Sequence, residues 1–388
     1  MFVRIELKNW RSIDDAQIDL APFTVLVGRN SSGKSNVVDA LVFADEVGRD
    51  AATAVSRRGG IESIRRWSHS KPFAVTIRLT VAKSAEGVDA DRLTHLMVLK
   101  SGKEGEWSFN REQIEVVHEG ERIAFLSRSA GTTTVNLHPG RQAQLFEAGD
   151  LPSTTSLMLL ARQVGAFRAR GAIRPPRVHR LRPVPELMRE PHPPTESSRL
   201  TETADNIATV LNRMDSADKA SVLAAMKQIV PGLIDIQANP AGRYVTLGFT
   251  QEHLADRRPE FLATEMSDGA LRALAVVVAA QQMTPNELLV IEEPEVNLHP
   301  GAANVVYDVL HAASERGVVL ITTHSPELLD RARDDEIQVC QYEDGVTKIG
   351  PLSSAQRDLV RQGLFSVAEL MRADELRREG APPRVVSD

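Results

Sequence analysis

A single cysteine, Cys340, stands in 388 residues, so neither an intrachain disulfide nor a Cys-based zinc site can form. Its expected role is that of a small buried strand residue. No run of about 18 apolar residues occurs, which gives no membrane span and no membrane partner. The opening MFVRIELKNW alternates polar and apolar residues instead of following a basic n-region with an apolar h-region, so no signal peptide is expected. These absences together fit a cytoplasmic location. Positive charge is not in excess either: 46 Lys and Arg against 52 Asp and Glu leave a net charge of -6. Any contact with nucleic acid must therefore come from a local patch, not from global attraction. Internal repeats and a heptad pattern long enough for a coiled coil are also missing. What is present is 42% hydrophobic residues, enough to bury one large α/β domain with insertions, or two lobes sharing a core.

Residues 2 to 8 alternate as a strand, and Thr24 to Val27 form a short apolar run that ends at Gly28. Beyond it Val37, Ala40, Leu41 and Ala44 recur at helical spacing, giving strand, glycine loop and helix. Residues 73 to 82 and 94 to 126 have the pattern of an antiparallel β layer. From Arg168 to Pro194 the chain is crowded with Arg and Pro, which predicts an extended connection. Two helical segments follow, around Ile207 to Met214 and Val222 to Ile229, then strands at 233 to 237 and 243 to 249. The remainder alternates helix and strand in the rhythm of a parallel sheet covered by helices: a helix from Ser267, a strand Glu287 to Ile291, a helix through Val305 and Leu310, and a strand Val318 to Thr322. Further strands are expected at 336 to 341 and 347 to 349.

Four elements carry chemistry. GRNSSGKS, comprising Gly28, Arg29, Asn30, Ser31, Ser32, Gly33, Lys34 and Ser35, satisfies the phosphate-loop pattern between a buried strand and an amphipathic helix. The glycines let successive N–H groups turn inward around phosphate oxygens, Lys34 would reach the β- and γ-phosphates, and Ser35 would ligate Mg²⁺. Asn36 follows in the first turn of the helix. In ELLVIEEPEVNLHP a buried strand delivers Glu292 to a Mg²⁺ site and Glu293 to a water it would orient or deprotonate. VVLITTHSPELL ends a second buried strand at His324, within reach of a γ-phosphate. In MSDGALRALAVVVAA, Ser267 is a good N-cap, Asp268 follows, and Gly269 keeps the helix entrance clear. That helix either simply packs inward or directs its N-terminal amides at a γ-phosphate held by another subunit.

The order of these motifs, with more than about 200 residues between the first two, resembles an ABC-type ATPase head. The opening IELKNWRSI, the SDG signature, IEEPEVNLHP and TTHSPELL are similar to the RecF/OLD-like ATPases of bacteria, within the SMC and ABC superfamily of AAA-type domains. The resemblance covers residues 1 to about 330. It implies a mixed sheet flanked by helices, an α/β head with an antiparallel β layer and a helical insertion. It also implies that Arg11 lies near the phosphates, that Ser267 and Gly269 complete the site in trans, that His324 senses the γ-phosphate, and that Asn297 to His299 form the D-loop at a dimer interface. The sequence departs from the pattern at Glu292, where aspartate is usual, at Asp268, where glycine is common, and at His299, where the D-loop has aspartate. A Q-loop glutamine has no clear position, since none lies between Ser35 and Gln113.

The expected divisions are an ATPase lobe at 1–167, an Arg/Pro-rich connection at 168–200, a second ATPase lobe at 201–330, and strands with a polar helical tail at 331–388. The resemblance implies an ATP hydrolase that binds Mg·ATP, forms an ATP-dependent homodimer and acts as a conformational switch in DNA repair or antiphage defence. The alternative is an ATP-dependent scaffold controlling a separately encoded nuclease or toxin without touching DNA; the ATPase subunit of a transporter is disfavoured by the SDG signature. No nuclease constellation of the TOPRIM type is evident after His324, so cutting is expected of a partner. Arg168 to Arg189 is either a strip for double-stranded DNA or an ordinary Arg-rich connection lacking interleaved aromatics.

Overall fold

The structure, a computed structural model, describes residues 1–66, 74–86, 89, 91–129, 132–137, 144–146, 151–167, 172–252, 259–373 and 376–381. Strand alternation at the amino end produces β1 (Phe2–Trp10) and β2 (Ile13–Leu20), with Val3, Ile5 and Leu7 fully buried. β3 (Phe23–Val27) is buried along its whole length, as a parallel strand covered on both faces must be. An antiparallel run follows: β4 (Ala74–Ala82), β5 (Arg92–Ser101), β6 (Trp107–His118), β7 (Glu121–Ser129), β8 (Thr132–Leu137) and β9 (Gln144–Phe146). β10 (Arg177–Leu181) comes from the Arg/Pro-rich stretch, and β11 (Leu233–Ala241), β12 (Tyr244–Gln251) and β13 (Glu260–Leu262) form a small sheet of their own. The last strands are β14 (Glu287–Glu292), β15 (Val318–Thr323), β16 (Ile337–Glu343) and β17 (Val346–Pro351).

One 14-stranded sheet runs in the order β10-β14-β15-β3-β16-β17-β2-β1-β4-β5-β6-β7-β8-β9. From β10 to β16 the neighbours are parallel, and from β2 to β9 they are antiparallel, so the sheet is mixed as expected. Successive residues of the parallel strands enter opposite cores. Leu288 and Val290 pack with Val37, Leu41 and the rest of the helix Lys34–Ser56, whereas Leu289 and Ile291 pack with Leu271, Leu274 and Val278 of the helix Asp268–Gln281. Each of these fully buried aliphatic side chains contributes about 1.5–3 kcal/mol.

The Arg/Pro-rich stretch is extended, but more than a connection. Its residues 177–181 pair in register with Glu287 to Ile291, at the sheet's edge. Edge position explains the composition, because Pro175, Pro176 and Pro183 flank the strand where ladder donors are not required. β16 and β17 were expected after the ATPase lobes; they lie in the middle of the sheet, Ile337 opposite Val25. All four sequence divisions therefore supply strands to one sheet. Arg168 and Arg170, and the last residues of the polar tail from 382 on, lie outside the described residues. The tail before them forms the helices Ser354–Arg361 and Val367–Ala373. No described helix is long and apolar enough to cross a membrane.

Candidate functional site

β3 ends at Val27, and the loop that follows enters the helix Lys34–Ser56 through Gly33, whose φ of 105° only glycine adopts readily. A Cβ on Gly33 would come within 2.2 Å of Thr347 Oγ1, and one on Gly28 within 2.2 Å of the Cys340 carbonyl. Both glycines are thus required by close approach of β16 and β17. Thr347 Oγ1 donates to the Ser32 carbonyl at 2.9 Å and meets Ser12 Oγ at 2.7 Å, which accepts from Asn36 Nδ2 at 2.6 Å. Cys340 is the buried strand residue expected, and its thiol donates to the same Ser32 carbonyl at 3.2 Å, burial pushing its pKa up to about 11 so that it stays protonated. Lys34 Nζ curls back to the carbonyls of Gly28 at 2.7 Å and Arg29 at 3.2 Å. Burial lowers its pKa, an effect opposed by Cys340, Glu293, Glu292 and Glu295.

β14 and β15 carry their terminal residues to the same edge as this loop. Glu292 Oε2 accepts from Ser35 Oγ at 2.7 Å, and its Oε1 accepts from Arg180 Nη2 at 2.5 Å. Burial would raise the Glu292 pKa, but the hydrogen bonds from Ser35 and Arg180, with the Arg180 and Arg182 charges, hold it below the usual carboxylate range. Glu293 has φ of 51°, uncommon for a residue with a Cβ, and its Oε1 lies 3.2 Å from His324 Nδ1. Glu295 accepts from Thr323 Oγ1, and burial raises its pKa.

These parts enclose a cleft of about 750 Å³, lined by Asn30 to Asn36, Arg182 to Val184, Glu202, Thr203, Arg272, Glu292, Glu293, Val296 and Thr322. Gly28 and Arg29 are not among its lining residues; their carbonyls hold Lys34. Hydroxyl and carboxylate oxygens 2.7 Å apart at Ser35 and Glu292 suit a hard divalent cation, and Ser32 Oγ is buried with no hydrogen-bond partner among the described residues.

Several expected residues lie elsewhere. Arg11 does not line the cleft. Its guanidinium pairs with Asp39 at 2.7 Å, because that half-buried carboxylate on the P-loop helix needs the charge, which Arg58 also supplies. Ser267, Asp268 and Gly269 are not among the cleft's lining residues. Ser267 accepts from Ala270 N at 3.2 Å as an N-cap, Asp268 pairs with Arg189 at 2.5 Å, and a Cβ on Gly269 would come within 2.2 Å of the Asn297 carbonyl. His299, in place of the D-loop aspartate, caps the helix Pro300–Ala313 through Nδ1. Of the described arginines of the strip, Arg180 and Arg189 are turned into these contacts, leaving Arg174, Arg177 and Arg182 exposed. Sequence reasoning took Arg180 and Arg182 only as part of the arginine strip, not as neighbours of Glu292, and missed Arg272. Only Arg272 carried a local signal, as the sole charge between Ala270 and Ala280.

Gly269→Ala tests the contact between the entrance of the helix Asp268–Gln281 and the Asn297 backbone. The added methyl must displace the Asn297 backbone, so melting is expected to fall by about 1–3 kcal/mol of stability, with ADP affinity unchanged. An unaltered melting curve would show that the contact is not tight.

Two family models match the chain: "AAA domain, putative AbiEii toxin, Type IV TA system" over residues 170–330, and "AAA ATPase domain" over residues 1–129. The chromosome partition protein Smc of Methanocaldococcus jannaschii is 33% identical over 107 residues, covering 27% of this chain and 9% of that protein. The Old nuclease of Escherichia phage P2 is 23% identical over an alignment of 389 positions, covering 92% of this chain and 62% of that protein. The chain thus spans less than two thirds of either relative. Among solved structures, an Smc head bound to the C-terminal winged-helix domain of ScpA aligns with a TM-score of 0.55 at 16% identity, over 91% of this chain and 98% of that one. An Smc head with an extended coiled coil, bound to the C-terminal domain of ScpA derived from Pyrococcus furiosus, gives 0.52 at 15% identity, over 94% and 100%. The α/β architecture is similar to that of these Smc heads, and the two segments 1–129 and 170–330 each match an AAA ATPase-type family model.

Proposed function

We propose that this chain, carrying AAA-type ATPase sequence on an SMC-type head fold, binds Mg·ATP in the cleft and hydrolyses it as a conformational switch between a single head and a head-to-head homodimer. The observation that carries this reading is the convergence of Lys34, Ser35, Glu292 and Glu293 at one sheet edge from segments more than about 250 residues apart. The inward loop amides and Lys34 hold the phosphates, and Ser35 with Glu292 would hold Mg²⁺. When bound, that ion supplies positive charge to the β- and γ-phosphate oxygens. Glu293 takes a proton from water as the water oxygen bonds to the γ-phosphorus. The bond from that phosphorus to the β,γ-bridging oxygen breaks, giving ADP and inorganic phosphate. His324, beside Glu293, orients the carboxylate and the attacked phosphoryl group.

The likeness to a phage nuclease supports a setting in DNA repair or antiphage defence, with double-stranded DNA or a separately encoded nuclease or effector as the partner. Among the described residues of the strip only Arg174, Arg177 and Arg182 are exposed arginines, few for phosphate contact, which favours the second partner class over extensive DNA contact.

Glu293→Gln tests the reading. It is expected to keep ATP affinity while cutting phosphate release by roughly 10² or more, since it removes the base and leaves Ser35 and Glu292 alone. Retained turnover in Glu293→Gln, with loss in Glu292→Gln, would reverse the roles of the two carboxylates.

A further inference from the structure

Arg272 lies one turn into the helix Asp268–Gln281, and its side chain lines the same cleft as Lys34, Glu292 and Glu293. Its Nε is buried with no hydrogen-bond partner among the described residues, and none of the ion pairs among them involves its guanidinium. The other arginines at the cleft differ. Arg180 is bound to Glu292, and Arg182, largely exposed, stands 3.9 Å from it. The residues around Arg272 on its helix, from Ala270 to Ala280, are otherwise all apolar and buried. The buried Nε has lost hydration without gaining an acceptor, while the half-buried side chain keeps its remaining donors available to an anion in the cleft.

The charge pattern of the cleft says which anion. The loop amides and Lys34 serve phosphates common to di- and triphosphates. Glu292, bonded to Ser35 of the loop, and Glu293 add two carboxylates to the cleft lining, and only Glu292 is paired with an arginine. We propose that Arg272 donates to the γ-phosphoryl oxygens of a nucleoside triphosphate bound by its own subunit, offsetting the repulsion from Glu293 and letting the site discriminate triphosphate from diphosphate. This rests on the cleft being the nucleotide site. One helix then carries both the ligand of its own subunit's γ-phosphate and, five residues earlier, the signature Ser267, so occupancy by a triphosphate bears directly on the signature's position.

The test compares titrations of ATPγS and ADP, each with Mg²⁺, against the full chain and its Arg272→Ala, Arg272→Gln and Arg272→Lys variants. Arg272→Ala and Arg272→Gln are expected to weaken ATPγS roughly 10- to 100-fold, the range for a lost charge-assisted contact, with ADP within about threefold of wild type. Arg272→Lys, keeping the charge without the fork, should recover part of the preference. An unchanged ATPγS-to-ADP ratio, or equal loss of both ligands, overturns the proposal while leaving the nucleotide site standing. Wild type binding neither ligand overturns the nucleotide reading itself and this inference with it. If Arg272→Ala fails to fold by circular dichroism, the Gln and Lys variants carry the same comparison and the same criteria.

Discussion

Lys34→Ala is expected to abolish measurable nucleotide binding, with affinity falling roughly 10²-fold or more, as for removal of a desolvated cation from a phosphate site. The ammonium is already positioned: it sits within the curl of the loop, 2.7 Å from the Gly28 carbonyl, with Glu292 and Glu293 lining the same cleft. The variant should nonetheless be at least as stable as wild type. Burial lowers the Lys34 pKa, so the folded state binds that proton less tightly than the unfolded chain does. Below both pKa values the group is charged in each state, and folding bears the cost of burying it; that cost fades as pH rises through the folded pKa toward the unfolded one. Binding lost at unchanged or raised melting temperature separates a functional lysine from a structural one. Equilibrium titration with a fluorescent ATP analogue decides the matter, and near-wild-type affinity would remove this loop as the nucleotide site.

The chemistry of that loop was legible because it is contiguous. GRNSSGKS follows an apolar strand, and IEEP and TTHSP each end another, so strand burial alone places them at one sheet edge. What supports the loop was not legible. Thr347 and Cys340 reach Ser32 from more than about 300 residues away, and neither a threonine nor a cysteine in a strand announces a long-range partner. The strand β10 was hidden for a different reason: proline and arginine argue against a central strand, and only the edge of a sheet reconciles them. Arg180 then became visible as a clamp on Glu292 only once β10 lay beside β14. The extra methylene of Glu292, relative to aspartate, sits within a network that satisfies both of its oxygens, from Ser35 on one side and Arg180 on the other. Arg11 shows the converse limit. Its place after the first strand matched a family pattern, but the nearby carboxylate of Asp39 captured it.

Mixing two inactive variants is expected to restore activity if the sites are shared between subunits. Ser267, Asp268 and Gly269 do not line the cleft of their own chain, and the 14-residue helix they open has its N-terminal amides capped only at Ser267. An anion from a second copy of the chain would satisfy the remaining donors. If that anion is the partner's γ-phosphate, Lys34→Ala and Ser267→Arg homodimers should both be inactive, the first for want of phosphate binding, the second blocked by a bulky cation at the signature. In the mixed dimer one site collects both defects. The other joins the intact loop of the Ser267→Arg subunit to the intact signature of the Lys34→Ala subunit. With random exchange and independent sites about half of the dimers carry one good site of two, so phosphate release should return to roughly a quarter of wild type. A signature acting within its own chain allows no recovery at any ratio. Strong coupling between sites could suppress recovery too, so light scattering of Glu293→Gln with and without ATP accompanies the assay, and a dimer is expected only with ATP. Absence of rescue together with a monomeric mass in both conditions would sink the shared-site model, whereas absence of rescue with an ATP-dependent dimer would place the coupling between the two sites instead of in their composition.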